Sequence, residues 1–379
     1  MRETRQETGV LRILVATRGN EIRNIKSVLD ALDKKHEVAI LETQKAAHPF
    51  WFNFIYASEE YHFYKTLPQG SYWKERIFNV PFAFPKWLRW SFLRHLKRCY
   101  VPPESIVRHL KQLSPDIVLA TNLMFVPHWE DYDYALAAKQ LGIPLIGFVP
   151  AWDTLTTKTK IQVMPDLIFC WNENHKQELV KYHKVAENII SIVGSYKFEQ
   201  WFSRQLPQRK DKFCARYKLN PNQPILTYLC SSPAIEPNEE GYIIEWANHY
   251  KDYQIIIKPH PDKPLELKNL RVPNPQAIVI HDPRESVNCY AHSAAVYGIS
   301  TSAFIECLLV GTPVYATLNG EHEKQLNCLH FQQLQSLLNG NGVKEIKTWL
   351  GVQEQLPSLL VLKSIEVMLK QKKWQKNLF

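Results

Sequence analysis

The sequence predicts an α/β protein made of two parallel-sheet units. Three observations carry that expectation. Short apolar runs alternate with longer amphipathic stretches along the chain, the alternation stops near residues 200–210 and begins again, and 379 residues exceed what one compact core usually holds, about 100–200 per domain. The runs are rich in Val, Ile and Leu rather than alternating, as parallel strands buried on both faces are.

The first strand is "LRILVAT" (11–17), followed by a polar stretch opening at Arg18 and then "HEVAIL" (36–41), a β-α-β rhythm. "DIVLAT" (116–121), "PLIGFV" (144–149), "DLIFCW" (166–171) and "IISIVG" (189–194) continue it. Between them "DYALAAKQLG" (133–142) and "NHKQELVKYH" (174–183) read as helices, the first stopped by Gly142 and Pro144. After "VGSYKFEQWFSRQLPQRKD" (193–211) the rhythm restarts with "PILTYLC" (224–230), "YQIIIK" (253–258), "AIVIH" (277–281), "AAVYG" (294–298) and "TPVYA" (312–316). Helices fit "NEEGYIIEWANHY" (238–250), "TSAFIECLLVG" (301–311) and "SLLVLKSIEVMLKQKKW" (358–374). The expected division is therefore a unit over 1–205, a unit over 206–350, and a terminal helix over 351–379 that packs back on the first. Residues 46–103, rich in aromatics and proline, read as an insertion in the first unit.

Composition narrows the class. Hydrophobic residues at 45% and charged residues at 22% are ordinary for a globular protein. No apolar run reaches the roughly 18–20 residues of a membrane span, and the first ten residues are charged, so a cytoplasmic protein is expected. The seven cysteines are scattered and form no C-x-x-C pair, which suits a reducing compartment. A net charge of +9 fits nucleic acid, an anionic membrane surface or an anionic substrate. The acid-free, basic and aromatic stretch 84–100, with Trp87 and Trp90, is a candidate for peripheral contact with the inner face of the cell membrane.

In parallel α/β sheets ligands gather at the carboxyl ends of strands, so the residues following each run are the candidates. "TRGNE" brings Arg18, Asn20 and Glu21 after the first strand; "AWDTLTTKTK" brings Trp152, Asp153 and Thr154 after the fourth. "CSSP" brings Ser231 and Ser232, "KPHP" brings Lys258 and His260, and "GISTSAFIE" brings Ser300, Thr301, Ser302 and Glu306. Hydroxyls and free N–H groups at a helix start make an anion site, and they also make ordinary helix caps. Lys258 and His260, two apart, share a face of an extended backbone and reach one phosphate together. Asp153 suits a general base and equally suits a cap. "DYD" (131–133) is explained by capping and dipole compensation, and no His/Cys/Asp cluster has metal-ligand spacing. There is no G-x-G-x-x-G, Walker A or G-x-S-x-G sequence.

In combination, the loops "WDTLTTK", "VGSYKFE", "CSSP" and "KPHP" with "TSAFIECLLVGTPV" (301–314) resemble the glycosyltransferases of the GT-B fold, in which two Rossmann-like domains face a central cleft. The likeness is strongest to the bacterial cell-envelope and capsule branch related to CDP-glycerol glycerophosphotransferases, and covers about 11–320. The resemblance implies transfer of a sugar from a nucleotide-activated donor to an envelope polysaccharide or lipid-linked acceptor, with no metal and no cofactor beyond the nucleotide sugar. It implies Thr301 and Ser302 at the donor phosphates, Glu306 at the ribose, and His260 at the diphosphate beside Lys258. Where the phosphotransferases carry a histidine in "WHGTPLKK", this chain has Asp153, which suits a carboxylate base and inversion. Domain closure would then exclude water. A non-hydrolysing UDP-N-acetylglucosamine 2-epimerase resembles the 258–306 region too, but must manage a proton at carbon 2, and the first-half loops show few carboxylates beyond Glu21 and Asp153. A non-catalytic nucleic-acid-binding or scaffold protein on the same fold is the third alternative, supported by charge alone.

Overall fold

The computed structural model describes residues 9–17, 21–43, 101–121, 123, 130–157, 160–161, 163–202, 207–233, 236, 238–261, 274–299, 301–316, 337–338, 342–343 and 345–376, with 202 and 370–376 described by backbone alone. Most of the expected insertion, and with it the 84–100 stretch, lies outside these residues, as do Arg18, Asn20 and Ser300. The chain divides into two compact units, Met1–Glu199 with Leu350–Phe379, and Gln200–Trp349.

Unit 1 contains β1 (Arg12–Thr17), α1 (Lys26–Asp33), β2 (Glu37–Glu42), α2 (Glu104–Leu113), β3 (Ile117–Ala120), α3 (Glu130–Gln140), β4 (Leu145–Phe148), the single turn α4 (Thr154–Thr157), β5 (Leu167–Cys170), α5 (Glu173–His183) and β6 (Ile190–Ile192). Its strands form one six-stranded sheet in the order β2-β1-β3-β4-β5-β6, parallel at every pairing. Unit 2 begins within α6 (Glu199–Phe202) and continues with α7 (Lys210–Tyr217), β7 (Ile225–Leu229), α8 (Glu240–His249), β8 (Gln254–Lys258), β9 (Ala277–Val279), α9 (Ser286–Ala291), β10 (Ala295–Gly298), α10 (Ala303–Leu309), β11 (Val314–Ala316) and α11 (Ile346–Trp349). Its five strands are also all parallel, in the order β11-β10-β7-β8-β9. The long α12 (Pro357–Lys376) belongs to unit 1 and lies against α1, with Lys35 paired to Glu366.

The apolar runs coincide with the strands to within about two residues because parallel strands between helix layers need branched aliphatics on both faces. β3, β4, β7 and β8 are buried at every position. The border strand β2 departs from the expectation, with Glu37, Ala39, Ile40 and Glu42 exposed. Among the described residues it pairs with β1 alone.

Helix ends follow local chemistry. Asn172 caps α5 by accepting from His175 N at 3.1 Å, and α5 stops at Lys184 in the left-handed region with Val185 N closing onto Leu179 O. Gly142, at φ +66°, ends the turn after α3 as its sequence position predicts. The return of the chain into unit 1 rests on two more glycines. A Cβ on Gly351 would sit 2.0 Å from Trp171 O, and one on Gly194 would sit 2.7 Å from Gly351 O, with both φ values positive. The close approach lets Ser195 N donate to Leu350 O and brings the Glu199 carboxylate to the start of α12, where it accepts from Ser358 N and Oγ at 2.7 and 2.6 Å.

Candidate active site

In unit 2, the carboxyl ends of β10, β7 and β8 are neighbours in the sheet, so the segments that follow them lie side by side. Thr301 and Ser302 follow β10, Ser231 and Ser232 follow β7, and His260 follows β8. Gly298 makes the first of these turns fit. A Cβ there would meet Leu229 O at 2.5 Å and the Phe304 ring at 2.9 Å. Thr301 Oγ1 accepts from Ala303 N at 3.3 Å, Ser302 is exposed, and Glu306 is half-buried on α10. The helix itself begins at Ala303, two residues later than the sequence suggests. His260 is half-buried.

Two of the expected donor-binding groups are instead engaged within the protein. Lys258 is 7% exposed, and its Nζ donates to Ile280 O, His281 O and Asp282 O at 3.2, 3.4 and 2.8 Å. Burial lowers its pKa. The side chain of a strand's last residue still alternates into the sheet face, so Lys258 points to the 280–282 turn rather than outward beside His260. Ser231, 2% exposed, is held by Glu239, whose carboxylate accepts from Ser231 N at 2.7 Å, Ser231 Oγ at 3.0 Å and Tyr228 OH at 3.1 Å. Burial raises the Glu239 pKa and the Ser231 hydrogen bonds oppose the rise. Lys258 and Ser231 therefore shape the edge from within, while His260, Thr301 and Glu306 are half-buried there and Ser302 is exposed.

In unit 1, Glu21 opens a 3-10 turn and accepts from Asn24 Nδ2 at 2.8 Å. Buried hydroxyls line the ends of β1 and β3, with Thr121 Oγ1 donating to Thr17 Oγ1 at 3.0 Å and Thr43 Oγ1 to Thr17 O at 3.1 Å. After β4, Trp152 and Thr154 are buried, whereas Asp153 is half-exposed. Asp153 immediately precedes the one-turn α4, and its carbonyl accepts from Thr156 N and Oγ1 at 3.0 and 3.1 Å. The residue that precedes the helix and the base candidate are thus the same, Asp153.

Beneath this loop lies a group that strand-end reasoning alone misses. Helix α5 turns His175, Glu178, Leu179 and His183 inward, all buried. The Glu178 carboxyl is pushed up to about 7, first by burial and further by the charge of Asp153, with His175 and Lys181 opposing. His183 is pushed down to about 4 by burial, with Leu155 O opposing and Lys160 assisting. The signal was present in the sequence: in "NHKQELVKYH" positions 175, 179 and 183 recur every fourth residue on one helical face. Asp131 and Asp133 of "DYD" are buried in the first turn of α3, where Asp131 Oδ1 accepts from Tyr132 N at 3.2 Å. No cluster of three or more His, Cys, Asp or Glu among the described residues could hold a metal ion. None of the described helices is long and apolar enough to cross a membrane.

No protein-family model matches the chain, and no curated protein matches it by sequence. Solved structures do. UDP-GlcNAc 2-epimerase from Methanocaldococcus jannaschii matches with a TM-score of 0.55 at 15% identity, over 94% of this chain and 99% of that one. The Neisseria meningitidis UDP-GlcNAc 2-epimerase bound to UDP-GlcNAc matches with 0.53 at 13% identity, over 95% and 99%. The S. aureus MnaA–UDP co-structure matches with 0.55 at 11% identity, over 95% and 97%. At these identities the likeness establishes architecture: the chain has the GT-B-like fold of two Rossmann-like α/β domains.

Proposed function

We propose that the chain is an enzyme acting on a nucleotide sugar, that unit 2 holds the nucleotide diphosphate, and that the reaction is epimerisation at carbon 2 of a UDP-N-acetylglucosamine-type sugar. One observation carries the proposal: Thr301, Ser232 and His260 follow three adjacent parallel strands. Strands lie about 4.8 Å apart, so these groups span roughly 10 Å of one carboxyl edge, on the scale of a nucleoside diphosphate. Hydroxyls and an imidazole there stabilise a phosphate that departs with negative charge, and Glu306 is offered to a ribose diol. The fold neighbours add weight, since those compared above are UDP-GlcNAc 2-epimerases or UDP complexes over nearly the whole chain. Glu178 on α5 adds a carboxyl to Glu21 and Asp153, the two that the first-half loops offer. Glu178, buried and titrating near neutrality, stands within the field of Asp153, and removing and returning a carbon-bound proton calls for such groups. Metal is not required by this reading.

A second reading, glycosyl transfer to an envelope polysaccharide or lipid-linked acceptor, is favoured by Asp153, a half-exposed carboxylate at a strand end in a segment resembling the transferases. Peripheral membrane contact through 84–100 and a cytoplasmic location belong to that reading. The two separate in one experiment. Incubation with UDP-N-acetylglucosamine in D2O, without acceptor, is expected to yield the carbon-2 epimer with deuterium at that carbon. Binding without exchange, and UDP release only when an acceptor glycan is added, would replace epimerisation by transfer. Absence of nucleotide binding would remove both.

A further inference from the structure

The imidazoles of His175 and His183 share one hydrogen-bond pattern. Trp171 N donates to His175 Nδ1 at 3.3 Å, and His175 Nε2 meets Trp152 O at 3.1 Å. Ile161 N donates to His183 Nδ1 at 3.1 Å, and His183 Nε2 meets Leu155 O at 2.8 Å. In each ring Nδ1 accepts from a backbone N–H and Nε2 faces a carbonyl that can only accept, so both are Nε2–H tautomers. Eight residues separate them on α5, about 12 Å along its axis, with buried Leu179 between. Core histidines often satisfy stray backbone groups. What distinguishes these two is where they hold: one carbonyl lies one residue before Asp153 and the other two residues after it. A third hold comes from Asp153 O, which accepts from Thr156 N and Oγ1.

We propose that His175 and His183 are positioning residues, which fix residues 152–157 at the carboxyl edge of the unit 1 sheet and thereby set the direction of the Asp153 carboxylate. An aspartate on a loop would otherwise sample many directions, and reactions lose rate steeply when a reacting group strays by about 1 Å. The proposal rests on the reading of Asp153 as a group that serves the reaction. Among the described residues, the charged or titratable neighbours of these rings and of Asp153 include Glu178, Lys181 and Lys160.

The test compares wild type with His175→Leu, His175→Gln and Asp153→Asn in the full chain. Two readouts are taken, amide hydrogen exchange of the 152–157 peptides and turnover of UDP-N-acetylglucosamine. Glutamine carries an acceptor and a donor in one side chain and is expected to recover both readouts in part. His175→Leu is expected to speed exchange in 152–157 at least tenfold, leave unit 2 peptides unchanged, and lower kcat at least tenfold with KM within a factor of about two. Unchanged exchange in the leucine variant would overturn the proposal. So would faster exchange with unchanged kcat while Asp153→Asn is inactive. If Asp153→Asn turns over as wild type does, it is the reading of Asp153 that fails. Should the leucine variant not fold, imidazole nitrogen spectra of the wild type, assigned to His175 and His183, decide the hydrogen-bond pattern: both rings are expected to be protonated at Nε2, and Nδ1–H tautomers there would contradict it.

Discussion

The carboxyl edges of the two sheets are held together by different chemistry. In unit 1 the loop after β4 is gripped by imidazoles, and a neighbouring carboxyl, Glu178, titrates near neutrality. In unit 2 the loops are gripped by a lysine and a glutamate, Lys258 on three carbonyls and Glu239 on Ser231 and Tyr228. Both arrangements contain groups shifted by burial: His183 is pushed down to about 4 and Glu178 up to about 7 in unit 1, while in unit 2 Glu239 is raised and Lys258 lowered. The difference teaches that a strand's last residue and the residues just beyond it do different work. Lys258 and Ser231 are buried and bonded within unit 2, whereas His260 and Thr301, just beyond the strands, are only half-buried.

The largest expected effect sharpens that distinction. Lys258→Met would leave three carbonyls, one buried and two part-buried, without this donor, at a cost of about 3 kcal/mol of stability in denaturant unfolding. UDP affinity of the folded fraction should change by less than a factor of about three. A variant of native stability that no longer binds UDP would return Lys258 to the ligand and erase the contrast between the edges.

The next effect concerns pH. His183, at about 4 in the folded chain against 6.5 as its ordinary value, contributes stability that is present above pH 6.5 and lost as pH falls toward 4. Glu178, at about 7 against 4.5, works the other way: its contribution is present below pH 4.5 and lost as pH rises to 7. Each is on the order of 3 kcal/mol, so across pH 4.5–6.5 they largely offset each other. Glu178→Gln should therefore stabilise the protein at pH 7–8 and unmask a loss of stability on acidification between pH 6.5 and 4. Lower stability of the variant at pH 8 would mean that the charged form is favoured in the fold.

Much of this architecture can be read from the amino acids, and the exceptions have physical causes. Strands announce themselves because a strand between helix layers is apolar at every residue, as in β8, where Ile255, Ile256 and Ile257 are all buried. The helices α1, α2, α7 and α9 are harder to see, since each buries only two or three side chains, such as Phe213 and Cys214 in α7. At the site, the position of each candidate follows from its place after a strand. Which polar groups are engaged internally does not, because it depends on partners far along the chain. Lys258 meets carbonyls more than twenty residues away, and His175 reaches Trp152 across a similar separation.

The central claim, that the residues following β7, β8 and β10 form a nucleotide diphosphate site, is most directly tested by titrating UDP into wild type and His260→Ala and measuring affinity. The account predicts binding to wild type and at least a tenfold weaker Kd in the variant, equivalent to about 1.4 kcal/mol. Equal affinity in the two proteins, or no binding to either, would contradict it.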